Sequence, residues 1–374
     1  MAVRHRPGTH DSGVTVSVVI PCYNYARFLR QSVESVLAQD AVTVDVIVVD
    51  DASSDDSLAL ARELAAGDPR VRVLANEQNL GAVGTFNRGL EHAAGEFLVR
   101  LDADDLLTPG SLKRAVDVMR SLPEVGLVYG HPIHFSGQRL PPARTEARWL
   151  TVWAGRDWLS ARCIDGTNVI TAPEAVMRRS VVDVVGGQRA LAHTHDMEMW
   201  LRVAAHSDVA YVGGADQAWH RVHPDSLSTK AEHPLVILRE IRDAFDVLFD
   251  GLGTVNEHDG RLRAHAHRAV AVEALAQASR RRDRGDTTDE AARLHAFAAE
   301  SDPAIRSTRA WRRLARPAGA APAMPAFAAT AFGVLPRARR WLRSKARQRR
   351  WHRSGVFEQM RVRPADESAE RRVR

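Results

Sequence analysis

Cysteine is almost absent: Cys22 and Cys163 are the only two among 374 residues. Such a pair can build neither a disulfide framework nor a cysteine-rich zinc site, a usage that fits a reducing compartment. Long apolar runs are missing as well. No stretch reaches the roughly 18 apolar residues of a membrane span, and the opening MAVRHRPGTHDSG lacks the apolar core of a signal peptide. The expectation is a cytoplasmic protein whose membrane contact, if any, is peripheral at the inner face of the cell membrane. Disorder is excluded too, because 45% hydrophobic residues over this length can bury one large domain or two.

Positive charge is scarce in the body and abundant at the end. Residues 301–374 hold 19 Lys and Arg against 5 Asp and Glu, leaving 33 against 41 for the first 300 residues. In RARRWLRSKARQRRWHR, at 337–353, Trp341, Leu342 and Trp351 interrupt the arginines. That composition suits a helix on an anionic membrane surface. A solvated tail is the alternative, and nucleic acid is the least favoured partner.

The first hundred residues alternate. Val16–Ile20 and Val46–Val49 are β-branched runs, Val71–Leu74 and Glu96–Leu101 read as further strands, and Ala26–Ala38, about 57–66 and Val83–Ala94 carry helical spacing. Apolar strands between amphipathic helices predict a mostly parallel sheet covered on both faces, with ligands beyond the carboxyl ends of its strands. Gly126–Tyr129 reads as another strand, Trp149–Ala161 as a helix, and Thr194–Ala205 as a helix opened by His195, Asp196 and Glu198. From about Pro234 to Glu300 the pattern is helical, with a break at Gly285-Asp286.

Carboxylates cluster where strands end. Asp102, Asp104 and Asp105 fall within four residues, and half-buried charges of one sign need a partner. A divalent cation, Mn²⁺ or Mg²⁺, would satisfy them and could bind substrate phosphates; a solvated helix cap is the plainer reading. Asp50-Asp51 could accept hydrogen bonds from a nucleobase or ribose, or merely cap the next helix. Trp149, Trp153 and Trp158 could stack on sugar rings or pack in the core.

Taken in order, SVVIPCYN at 17–24, VIVVDDASSD at 46–55, NLGAVGTFNRG at 79–89 and LDADD at 101–105 closely resemble the family 2 inverting glycosyltransferases of the GT-A fold. The likeness runs over roughly residues 16–230. It implies an α/β GT-A (Rossmann-like) domain at 16–230, with a nucleotide-sugar part at 16–130 and an acceptor part at 131–230. Around it are expected a flexible N-terminus at 1–15, a helical extension at 231–303 and the basic tail at 304–374. By the same resemblance Pro21, Tyr23, Asn24, Asp51 and Asp104 bind the donor nucleotide. Asp102, Asp104, Asp105 and His223 hold Mn²⁺ or Mg²⁺, and Asp196 is the catalytic base. AWHRVHPDSLS at 218–228 resembles a donor-closing loop, with Arg221, Ser226 and Ser228 as further contacts.

The implied activity is metal-dependent, inverting transfer from an NDP-sugar, UDP-sugars foremost, to a carbohydrate or lipid-linked acceptor in cell-envelope glycan, polysaccharide or glycolipid assembly. Two positions depart from the family. Thr85-Phe86-Asn87 stands where the family often has Ala-Arg-Asn, so either Arg88 or Arg100 substitutes for the arginine or the donor base and diphosphate are held differently, and His195 stands where an acid is common. A degenerate sugar-nucleotide-binding module and a nucleotidyltransferase are the alternatives.

Overall fold

A computed structural model describes residues 3–5, 14–224, 233–252, 256–283 and 289–315. These fall into two units, the described residues of one lying within Met1–Ser160 and Asn168–Ala231, those of the other within Ala161–Thr167 and Glu232–Arg361.

The first unit opens with β1 (Val3–His5) and then alternates as the sequence predicts: β2 (Thr15–Cys22), α1 (Ala26–Leu37), β3 (Thr43–Asp50), α2 (Ser57–Gly67), β4 (Val71–Ala75), α3 (Gly81–His92) and β5 (Phe97–Arg100). After the acidic turn come β6 (Leu106–Leu107), α4 (Ser111–Ser121), β7 (Val125–Phe135), β8 (Trp149–Trp153), α5 (Gly155–Asp165), β9 (Val176–Arg178), α6 (Arg179–Val185), α7 (His195–His206) and β10 (Asp208–Arg221). The apolar runs of β2, β3 and β5 are buried because α1 packs on one face of the sheet and α3 on the other. At Gly89 a Cβ would stand 2.4 Å from Val19 Cγ1, so only glycine lets α3 come this close.

The sheet has ten strands in the order β1-β8-β10-β7-β9-β5-β2-β3-β4, with β6 on β10. It is mixed. β2, β3, β4 and β5 pair in parallel, as do β7 and β10, whereas β9 joins β5 and β7 antiparallel and β8 joins β10 antiparallel. Cys22 pairs with Asp50, and Arg100 with Val19. The acidic ends of β3 and β5 therefore leave the sheet along one edge.

Three expectations need correction. Val3–His5 pairs with β8, so part of the supposed flexible N-terminus is an edge strand. Trp149–Ala161 is not one helix: the aromatic and β-branched Trp149–Trp153 forms β8, and the helix starts only at Gly155. The helical region also outruns residue 303. In the second unit α8 (Pro234–Gly251), α9 (Glu257–Asp283), α10 (Glu290–Ser301) and α11 (Arg309–Ala315) share a core that includes Leu238, Leu275, Phe297 and Ile305, with Trp311 and Leu314 packed against it. The arginine-rich stretch 337–353 lies outside the described residues, among which no helix is long and apolar enough to cross a membrane.

Candidate active site

The strand end that carries LDADD turns sharply, Asp105 N–H donating to Asp102 O at 3.0 Å. This turn sends the three carboxylates to different partners. Asp102 pairs with the buried Arg100 at 2.8 Å and remains partly open to solvent. Asp104 Oδ2 lies 2.8 Å from His223 Nε2. Asp105 points at the end of β10, where Oδ1 accepts from Arg221 N–H at 2.7 Å and Oδ2 lies 3.0 Å from His220 Nδ1. Burial would lower the His220 pKa, but the Asp105 charge and hydrogen bond outweigh it and raise the ring to about 9. Burial raises the Asp105 carboxyl as well, so the two form one buried pair joined by this hydrogen bond.

Arg221 is equally committed. Its guanidinium donates to Asp104 O at 2.9 Å, to Gly137 O at 2.5 Å and to Gln31 Oε1 at 2.8 Å. It is a buried pillar rather than a movable loop contact, which corrects its expected role. Ser226 and Ser228 lie outside the described residues.

Among the described residues no three His, Cys, Asp or Glu side chains already converge as a metal-ligand set. The chemistry of the individual groups separates those that suit a cation from one that does not. Burial, then the Asp105 and Asp102 charges, push the Asp104 carboxyl well above the usual range, so the chain alone supplies too little positive charge there. Asp104 and His223 offer an oxygen and a nitrogen side by side, and Asp102 has an open edge, a donor set that suits Mn²⁺ and, less fully, Mg²⁺. Asp105 is turned away from that group, wholly buried with one hydrogen bond from β10 on each oxygen.

On the donor side, Asn24 adopts φ +60° and ties two loops together: its Oδ1 accepts from Ser54 N–H at 2.8 Å, and its own N–H donates to Ser53 Oγ at 3.0 Å. Tyr23 beside it is 46% exposed, and Pro21 is half-buried in β2. Asp51 is buried and largely occupied. Oδ1 accepts from Asn76 Nδ2 at 2.6 Å and Leu80 N–H at 2.7 Å, and Oδ2 from Gly81 N–H at 2.9 Å. Of the four lone-pair positions of a carboxylate, one on Oδ2 remains for an outside donor. Arg88 serves Ala75 O and Asn76 Oδ1, whereas Arg100 sits at Asp102 with its guanidinium 6.0 Å from the Phe86 ring centre. Arg100, not Arg88, is the arginine beside the acidic turn.

Opposite charges also gather at the start of α7. Asp196 is half-buried; burial raises its pKa to about 6, a rise that the nearby Arg100 charge limits. Asp102 acts on it as well, so the two acids lie within electrostatic reach. Burial and then Arg100 push His195 down to about 4, and its Nδ1 faces Leu191 O at 3.1 Å. The ring is therefore neutral near pH 7, with Nδ1–H as the donor.

One turn further along α7, Glu198 is wholly buried against Arg202, at 2.5 and 2.8 Å. The same guanidinium donates to Val185 O, to Gly186 O at 3.1 Å and to Gly187 O at 2.8 Å. Asn87 of α3 meets this loop from its other side, exchanging hydrogen bonds with Gln188 main chain at 2.8 and 2.9 Å. Glu198→Ala would strand a buried guanidinium. It is expected to cost about 3–5 kcal/mol, measured by denaturant unfolding; a loss under about 1 kcal/mol would show that the carbonyls alone satisfy Arg202.

Glu174 went unread in the sequence. It is buried before β9, its carboxylate accepts from Thr171 N–H at 2.6 Å and Thr171 Oγ1 at 2.8 Å, and burial raises its pKa to about 7. Its charge acts on His220. The one available signal was the spacing Thr171-x-x-Glu174, which resembles a helix-capping box but here closes a turn. The tryptophans pack: Trp153 and Trp158 are buried, and Trp158 Nε1–H donates to Tyr129 OH at 3.2 Å.

A parallel half-sheet with acids leaving its carboxyl edge, joined to a mixed half that brings β10 back to those acids, is the GT-A arrangement. Residues 17–186 match the model of glycosyl transferase family 2, and the chain belongs to that family. An uncharacterized protein of Mycobacterium tuberculosis is 31% identical over 223 residues, 55% of this chain and 69% of that protein. The succinoglycan biosynthesis protein ExoO of Rhizobium meliloti is 40% identical over 111 residues, 30% of this chain and 31% of ExoO, so the match spans about a third of that relative. Among solved structures, residues 1–349 of S. aureus TarS in complex with UDP-GlcNAc share the fold with a TM-score of 0.56 at 17% identity, covering 80% of this chain and 90% of that one.

Proposed function

We propose that the protein transfers one glycosyl unit from an NDP-sugar to an acceptor hydroxyl, with inversion by a single in-line displacement. The observation that carries this reading is Asp196, a carboxylate whose proton affinity is raised to about 6 within electrostatic reach of the acidic turn at Asp102. A base must be ionised at working pH yet basic enough to accept the acceptor's proton, and a pKa near 6 meets both needs. Pro21 and Tyr23 line the base pocket, Asn24 holds the loop beneath it, and Asp51 offers its remaining lone pair to a base N–H. Asp102, Asp104 and His223 hold Mn²⁺ or Mg²⁺, which when bound neutralises the charge of the departing diphosphate. Arg100 keeps Asp102 oriented and restrains the rise of Asp196.

UDP-sugars come first among donors because the protein of like fold named above was solved with UDP-GlcNAc. ExoO's name points to polysaccharide assembly, and we infer a carbohydrate or lipid-linked acceptor at the inner membrane face, where the arginines of 337–353 would meet anionic headgroups. A screen of UDP-, GDP- and dTDP-sugars by thermal shift, with and without Mn²⁺, tests the reading. One donor class is expected to stabilise the protein in a metal-dependent way, by about 2.7 kcal/mol at a hundredfold excess over Kd. No shift with any donor would overturn the reading, and release of pyrophosphate rather than NDP would make the protein a nucleotidyltransferase.

A further inference from the structure

We propose that Leu80 covers one face of the donor's nucleobase while Tyr23 covers the other. The inference rests on the sugar-nucleotide reading above and adds one residue to it. Leu80 is 45% exposed and Tyr23 46%. Both belong to segments that hold Asp51, the carboxylate assigned to the base edge: Asp51 N–H donates to the O of Cys22, the neighbour of Tyr23, at 2.8 Å, and Asp51 Oδ1 accepts from Leu80 N–H at 2.7 Å. Two large side chains are thus left in solvent beside one buried acid.

Neither core packing nor helix capping accounts for a leucine at 80. The side chain lies outside the core, and it occupies the N-cap of α3, where it has no oxygen to offer the helix and is among the poorest residues. Yet its main chain is firmly held. Its own N–H is bound to Asp51, and the next one, of Gly81, is shared between Asp51 Oδ2 at 2.9 Å and Asn79 Oδ1 at 3.0 Å. A Cβ on Gly84 would stand only 2.9 Å from Leu80 Cβ, so the base of the side chain rests against the first turn of α3. A leucine fixed in this way loses little freedom when a ligand meets it. The occupant that suits the site is flat, apolar on its faces and polar at its edge. A nucleobase has that form: one face stacks on an aromatic ring, the other is taken out of water by an aliphatic chain, and an edge N–H reaches the lone pair that Asp51 Oδ2 leaves open.

The experiment is isothermal titration of the full chain and of Leu80→Ala and Leu80→Met with UDP, GDP, dTDP and pyrophosphate, all in MnCl₂. For the nucleoside diphosphate that the unaltered protein binds, Leu80→Ala should weaken affinity about tenfold, the scale set by the apolar surface of one aliphatic side chain. Leu80→Met, which keeps the volume, should recover most of the loss. Pyrophosphate has no base, and its affinity should be the same in all three proteins. The ligand-free Tm should also be the same, because the bonds to Asp51 come from main-chain N–H groups that every variant keeps. Unchanged nucleotide affinity in Leu80→Ala overturns the proposal, and so does an equal loss for pyrophosphate. A fall in the ligand-free Tm of Leu80→Ala would make Leu80 structural and also overturn it. If the unaltered protein binds none of the three nucleoside diphosphates, the sugar-nucleotide reading itself fails and the role of Leu80 falls with it.

Discussion

Asp196→Asn is expected to leave donor affinity intact while lowering turnover about 10²–10⁴-fold, the usual contribution of a positioned base. The substitution is isosteric, and the Asn Oδ1 can still accept from Met197 N–H, which is 2.6 Å from Asp196 Oδ1. What disappears is the proton acceptor. The unaltered enzyme should show its counterpart in pH: the carboxylate is the active form, burial sets its pKa near 6, and kcat/KM should fall tenfold per pH unit below that value and level off above it. Donor affinity by titration and NDP release by coupled assay separate the two effects. Transfer by Asp196→Asn within threefold of the original rate would remove Asp196 from the base role.

Asp104→Asn should abolish the metal-dependent part of donor stabilisation and lower turnover about 10²–10³-fold, the scale on which one preorganised electrostatic group acts. Without metal the prediction runs the other way. Asp104 is a buried carboxylate pushed above its ordinary pKa first by desolvation and then by Asp105 and Asp102. A raised acid pKa means that the ionised form costs stability as pH rises through the unfolded and folded values. Removing the charge should therefore leave the metal-free Tm at pH 7 unchanged or higher. A function that costs stability is common at active sites. A drop in metal-free Tm, or a Mn²⁺-dependent donor shift that survives the substitution, would show that Asp104 holds structure rather than a cation.

The sequence was legible where chemistry and periodicity coincide over short distances. Apolar runs of β2, β3 and β5 stopping at acids give both the strands and the edge at which Asp51 and Asp102 emerge, because an unbroken β-branched run has few other solutions. The fate of Asp105 was not legible. Its partners His220 and Arg221 are 115 and 116 residues away, at the end of a fourteen-residue strand broken by Gly213-Gly214 and carrying Asp216 and Gln217. Such a strand lacks the expected pattern because its polar residues are satisfied from elsewhere. Asp216, for example, meets His131 Nδ1 at 2.9 Å and Arg144 N–H at 2.7 Å. Asp51 shows the same limit, since nothing local announces that residues 76–81 fold back onto its carboxylate.

The grip of Arg202 on three successive main-chain carbonyls has a bearing on how this protein can change. Peptide oxygens are present whatever residue occupies a position, so the segment from Val185 to Gly187 is anchored largely without reference to the side chains that follow it. Substitutions at the neighbouring Arg189, Ala190 and Leu191 can then accumulate while α7, and Asp196 with it, stays in place. Such a scaffold lets the side chains of this loop vary beside an unmoved start of α7.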